Sequence, residues 1–120
     1  MNKPTLVIGA STNPQRYAYL AVNALLSHGH TVFALGKDDG SINQIPIDHG
    51  FPEYSGVNTV TLYLRPQLQE QFYDYILKLK PARVVFNPGT ENETFEKLLQ
   101  DNGIEPVEAC TLVMLSIGVY

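Results

Sequence analysis

The sequence predicts a doubly wound α/β fold, a parallel sheet of about five strands between two layers of helices. Three observations predict it. Short β-rich apolar runs alternate along the chain with segments of helical period. The runs are continuous rather than alternating apolar and polar, as in strands buried on both faces. The segments between them are long enough for right-handed crossovers, which join parallel strands. The 120 residues fit one domain spanning 1–120, large enough to bury a core without metal or disulfide.

Thr5-Leu6-Val7-Ile8 forms the first strand and ends at Gly9. From Tyr17 to His28, Ala18, Ala21, Val22, Leu25 and Leu26 recur at helical spacing, and Gly29 supplies a stop signal. Thr31 to Leu35 is the second strand, closed by Gly36, and Thr59 to Leu64 is the third. Pro66 suits the first turn of the next helix, whose inward face is Leu68, Phe72, Ile76 and Leu79. Arg83 to Asn87 is the fourth strand. Thr90-Glu91-Asn92-Glu93 has capping-box spacing for a helix that buries Phe95, Leu98 and Leu99. Glu105 to Ala109 is the fifth strand, followed by a short closing helix or strand. Residues 37–58 carry no sustained period, and a structureless loop this long is unusual. Ile42, Ile45, Ile47 and Phe51 are expected to anchor it in short extended pieces or a single turn.

Composition excludes several classes of function. Twelve acids against eight scattered bases give a net charge of -4, the wrong sign for a nucleic-acid backbone. The single cysteine, Cys110, cannot close an intrachain disulfide, and no paired Cys/His spacing suggests zinc. No apolar run has the length of a signal-peptide core or a membrane span. The expectation is a cytoplasmic protein that binds neither nucleic acid nor membrane.

The most informative segment is Gly9-Ala10-Ser11-Thr12-Asn13-Pro14-Gln15-Arg16-Tyr17-Ala18, between the first strand and the first helix. Ligands of open parallel sheets bind at the carboxyl ends of the strands, near the switch point. Gly9 admits a close backbone approach. The helix start offers free amides and a positive dipole end to an anion. Ser11 and Asn13 add short hydrogen-bonding side chains, and Arg16 adds a planar, permanently charged fork. The dinucleotide pattern G-x-G-x-x-G is not matched, because its second and third glycines fall on Ser11 and Pro14. A Gly/Ser turn used only to make a bend explains the same spacing.

The run G-A-S-x-N-P-x-R resembles the small single-domain CoA-binding proteins, whose Rossmann-like sheet is related to the CoA-binding domain of succinyl-CoA synthetase. Phe86-Asn87-Pro88-Gly89 and Cys110 sit where members carry a Gly-containing turn and a cysteine. The resemblance implies a nucleotide-type ligand, coenzyme A or an acyl-CoA. Gly9, Ala10 and Ser11 would line its diphosphate, with the amides near Tyr17 and Ala18 closing on it. Asn13 and Arg16 would hold the loop and contact phosphate oxygens. Leu35-Gly36-Lys37 would flank the adenosine, with Lys37 near the ribose phosphate. Leu64-Arg65-Pro66 and Asn87-Pro88-Gly89 would line the pantetheine path. Where the family usually has a Pro-containing turn, this chain has Gly36-Lys37-Asp38-Asp39.

Plainer readings stand beside these. Arg16, Lys37 and Arg65 are also ordinary solvated cations. His28 and His30 fall at the opposite end of the sheet, and His49 lies in the loosest loop. None has an acid and nucleophile to complete a triad. Glu91, Glu93 and Glu96 suit a helix start. Cys110 is an ordinary buried thiol unless it meets the thiol end of a ligand. The apolar tail from Leu112 to Ile117 is a lid on the core or part of a homo-oligomer contact. With no complete catalytic set, the expected role is a carrier, sensor or regulatory module, acting by itself or for a partner enzyme. The rivals are an NAD(P)-dependent enzyme, with Asp38 or Asp39 taking the ribose hydroxyls, and an interaction module with a vestigial site.

Overall fold

In the computed structural model, which describes residues 1–120, strand β1 (Thr5–Ala10) runs through the middle of the sheet. Its side chains alternate between faces as far as Ile8, and a register shift between Ile8 and Ala10 then breaks the two-residue period. Leu6 and Ile8 join the apolar cluster on one face, and Val7 and Ala10 join the cluster on the other. This double burial is why the strand reads as an unbroken apolar run.

The face of Val7 and Ala10 is covered by helix α1 (Tyr17–Ser27) through Ala18, Val22 and Leu25, and by helix α5 (Thr111–Ser116) through Leu115. The face of Leu6 and Ile8 is covered by α3 (Tyr73–Leu79) through Ile76, and by α4 (Glu93–Asp101) through Phe95 and Leu99. Phe95 stacks on Tyr73 with ring centroids 4.2 Å apart and meets Phe86 edge-on at 5.8 Å. α2 (Pro66–Gln69) precedes α3, and a 3-10 turn at Glu70–Phe72 interrupts what the sequence presents as one helix.

Seven strands are present rather than about five, in the order β3-β4-β2-β1-β5-β6-β7. β2 (Val32–Gly36), β5 (Thr59–Leu62), β6 (Arg83–Phe86) and β7 (Glu105–Glu108) follow the predicted strands. The additional strands, β3 (Ser41–Ile42) and β4 (Ile45–Asp48), lie within residues 37–58. β4 runs parallel to β2, and β3 returns antiparallel as the edge, so the sheet is mixed. Asn43 and Gln44 form the tip of this hairpin with φ of 47° and 72°. Two positive φ angles in a two-residue loop mark a primed turn, whose twist matches the flanking strands. Ile42 and Ile47 anchor the hairpin in the core, whereas Phe51 is 57% exposed and does not.

Helix α4 is capped two residues later than the Thr90 spacing suggests. Asn92 Oδ1 accepts from the Phe95 amide at 3.1 Å, and Glu96 reaches back to the Asn92 amide at 3.1 Å. The Thr90 hydroxyl instead donates to the Asn87 carbonyl at 2.8 Å. In the tail, Met114 and Leu115 are buried while Val113, Ile117 and Val119 are exposed. It is thus a lid along one side and an apolar surface along the other. No helix is long and apolar enough to cross a membrane.

Candidate functional site

β1 and β5 are adjacent, but the chain leaves β1 towards β2 and reaches β5 only after β4. The switch point therefore lies at the carboxyl ends of β1 and β5, where an open sheet leaves a crevice. Two glycines bring the backbones together there. Gly9 has φ of 95°, and a Cβ on it would lie 2.8 Å from the Tyr63 carbonyl oxygen. A Cβ on Gly36 would collide with the Ala10 carbonyl oxygen.

The loop after β1 is held by an internal anion. Asp38 Oδ2 accepts from the Thr12 amide at 2.9 Å, from Ser11 Oγ at 3.1 Å and from Thr12 Oγ1 at 3.2 Å. The Thr12 amide first, and then the Ser11 hydroxyl, hold the Asp38 carboxyl below the usual carboxylate range. Ser11 Oγ accepts from the Asn13 amide at 3.1 Å, and Asn13 Oδ1 accepts from the Gln15 amide at 3.0 Å. Ser11 and Asn13 shape the loop, and neither lines a cleft.

The start of α1 is left open. Arg16 occupies the N-cap in an extended conformation with no side-chain cap bond, and no acid lies in the first turn. The first bond into the helix runs from the Leu20 amide to the Arg16 carbonyl. The amides of Tyr17, Ala18 and Tyr19 thus have no partner within the helix, the arrangement that receives an anion.

Two clefts meet at this point, and Gly9 and Arg16 line both. The first is a cavity of about 650 Å³ that also takes in Ala10, Gly36, Lys37 and Leu64. The second is smaller, about 260 Å³, and takes in Tyr17, Ala18, Arg65, Pro88 and Gly89. Arg16, Lys37 and Arg65 belong to neither of the chain's two ion pairs.

Asn87 lines neither cleft. It is 2% exposed. Its Nδ2 donates to Thr61 Oγ1 at 2.7 Å and to the Leu62 carbonyl at 2.8 Å, and its Oδ1 accepts from the Thr111 amide at 2.9 Å. It ties β6 to β5 and to the start of α5. Cys110, half-buried just before α5, also lines neither cleft.

Several lining residues were not legible in the sequence. His49, Phe51, Leu68, Gln71 and Phe72 border the larger cleft, and Tyr63 and Thr90 border the smaller. His49 arrives through strand pairing: β2 and β4 align Leu35 with Asp48, which sets His49 beside Gly36. Phe51 reaches Phe72 and Tyr75 at ring-centroid distances of 5.6 and 5.4 Å. The Tyr63 hydroxyl is buried without a hydrogen-bond partner. Burial pushes it up to about 12, so it is a neutral donor at pH 7. Gln69, fully buried, donates to the carbonyls of Leu64 and Thr90, each at 2.8 Å, and so joins a wall of the larger cleft to a wall of the smaller.

Comparison with curated proteins gives no match. Among solved structures, one described as an uncharacterized protein is 52% identical with a TM-score of 0.98, covering 100% of this chain and 99% of that one. A hypothetical protein from Pyrococcus horikoshii OT3 is 21% identical with a TM-score of 0.87, covering 96% of this chain and 82% of that one. A protein from Thermus thermophilus is 20% identical with a TM-score of 0.78, covering 98% and 91%. The two distant structures establish the fold alone. The sequence pattern of the CoA binding domain matches residues 3–116, which include both clefts and the open helix start between them, and the chain belongs to that family.

Proposed function

We propose that the protein binds coenzyme A or an acyl-CoA and acts as a carrier, sensor or regulatory module. The observation that carries this reading is the meeting of two clefts at the uncapped start of α1. A CoA molecule has a diphosphate in its middle, an adenosine on one side and a pantetheine arm on the other. The diphosphate takes the amides of Tyr17, Ala18 and Tyr19, the bend at Gly9 and Ala10, and the Arg16 fork. The adenosine takes the larger cleft, between Lys37 and the apolar wall of Leu64, Leu68 and Phe72. The pantetheine arm takes the smaller cleft beside Arg65, Pro88 and Gly89.

An NAD(P)-dependent enzyme would receive the ribose hydroxyls on Asp38 or Asp39, but Asp38 Oδ2 is already bonded to Ser11 and Thr12 and Asp39 Oδ1 is paired with His49.

Thermal unfolding with added ligand tests the proposal. CoA at about 100 times its Kd adds ~2.7 kcal/mol of stability. At about 4 °C per kcal/mol for a chain of this size, Tm rises by roughly 10 °C. NAD at the same concentration should give a smaller shift, and Arg16→Ala should weaken CoA by about 1 to 3 kcal/mol. A larger shift with NAD than with CoA contradicts the reading. Unchanged CoA affinity in Arg16→Ala removes Arg16 from the site.

A further inference from the structure

Helix α1 carries no charged side chain, and neither does α5 or the stretch from Ile117 to Tyr120 that follows it. A helix that packs on a sheet by one side ordinarily turns charged and polar groups outward, and one that is apolar all round is a buried helix. The opposite layer follows that rule: α3 exposes Asp74 and Lys78, and α4 exposes Glu93, Lys97 and Asp101. On α1, Ala18, Ala21, Val22 and Leu25 face the core, yet Tyr17 is 70% exposed and Leu20 41%. Apart from the tyrosine hydroxyls, Asn23 and Ser27 are its only polar side chains. α5 buries Met114 and Leu115 and exposes Val113 and Ile117, which lie one turn apart on its outer side. Val119 continues that exposed apolar run.

The two helices lie against each other, and Leu115 shares its cluster with Ala18, Val22 and Leu25. Their outer sides therefore form one uncharged, largely apolar surface. It belongs to neither cleft except at Tyr17, which borders the smaller one.

We propose that this surface is the contact of a homodimer, in which a second copy of the chain lies across α1 and α5 about a two-fold axis. Charge favours that occupant. The chain has a net charge of -4, but none of it lies on these helices, so two copies meeting here bring no like charges together. A strongly acidic or basic partner would find no complement. A lipid surface fits less well, because helices that lie on membranes flank their apolar side with Lys and Arg, and α1 and α5 have none. Area agrees. The exposed parts of Tyr17, Leu20, Val113, Ile117 and Val119 amount to on the order of 400 Å² of apolar surface. A stable interface buries about 800 Å² per partner, of which about 60% is apolar, so these five side chains supply most of what one needs. The inference does not depend on the identity of the ligand.

Sedimentation equilibrium of the full chain tests it. Interfaces of this size bind at micromolar strength or better, so at about 50 μM the protein should sediment at twice its 13.3 kDa mass. Val113→Glu combined with Ile117→Glu should weaken the dimer at least about a hundredfold by setting like charges against each other. Val113→Lys combined with Ile117→Lys should do the same. Both positions are exposed and line neither cleft, so the fold should hold in each double variant. Mixing the acidic and basic variants should restore a dimer, which a folding defect would not do. Gln100→Lys on the opposite layer should leave the dimer intact. A wild-type chain that is monomeric at about 50 μM overturns the inference, and a monomer that co-sediments with neutral phosphatidylcholine vesicles assigns the surface to lipid instead. A dimer untouched by either double variant, or variants that stay apart on mixing, also overturns it.

Discussion

Gly9→Ala should destabilise the protein by about 3 kcal/mol or more, a fall in Tm of roughly 12 °C. Two separate costs add at this position. The backbone sits at φ of 95°, a region that L residues adopt only at about 1 to 3 kcal/mol. The new methyl would also lie 2.8 Å from the Tyr63 carbonyl oxygen and 2.9 Å from its carbonyl carbon. Both are backbone atoms at the exit of β5, and they cannot rotate away. Relief requires β1 and β5 to separate where Gly9 lines both clefts. The same substitution should therefore weaken ligand binding in the fraction that remains folded. Calorimetric unfolding of the variant checks the first effect, and a loss below 1 kcal/mol would show that β5 is not held against Gly9.

Asn87→Ala should cost about 3 kcal/mol while leaving the affinity of the folded protein for CoA unchanged within about twofold. The family resemblance implies that Asn87, at the end of the fourth strand, lines the ligand path, and the structure places its side chain in the interior. Removing it leaves the Leu62 carbonyl and the Thr111 amide without their side-chain partner. Each unmet buried group costs about 1 to 3 kcal/mol. Thr61 keeps its contact with the Thr111 hydroxyl at 2.8 Å, which limits the damage. Denaturant unfolding and titration on the same sample separate the two roles. Near-normal stability with much weaker CoA binding would return Asn87 to the ligand.

The contrast between these two residues shows what the sequence can convey. The bend at Gly9 is local: a glycine after an apolar run, then small polar residues, then a helical pattern. Its place at a switch point follows from the order of strands and helices. The interior role of Asn87 is not local, because it depends on Thr61 and Thr111, which are distant in the chain. The β3–β4 hairpin is legible only as short extended pieces anchored by Ile42, Ile45 and Ile47, and its pairing is hidden for another reason. Asn43-Gln44 adopts the positive φ angles usually announced by a glycine, and Pro46 sits in a strand too short for a clear pattern. Without that pairing His49 reads as a loop residue, whereas the alignment of β2 with β4 sets it beside Gly36 at the mouth of the larger cleft. Thr90 and Asn92 are both good caps, and only the Thr90–Asn87 bond decides between them. The apolar runs of β1, β5 and β6 were legible because burial on both faces imposes them.

Amide chemical shifts followed by NMR during CoA titration test the central claim most directly. Binding of the diphosphate to the open helix start predicts the largest changes at Gly9, Ala10 and Tyr17 to Tyr19, with smaller ones at Lys37 and at Pro88's neighbour Gly89. Saturable CoA binding that leaves the amides of Tyr17, Ala18 and Tyr19 unmoved would contradict it.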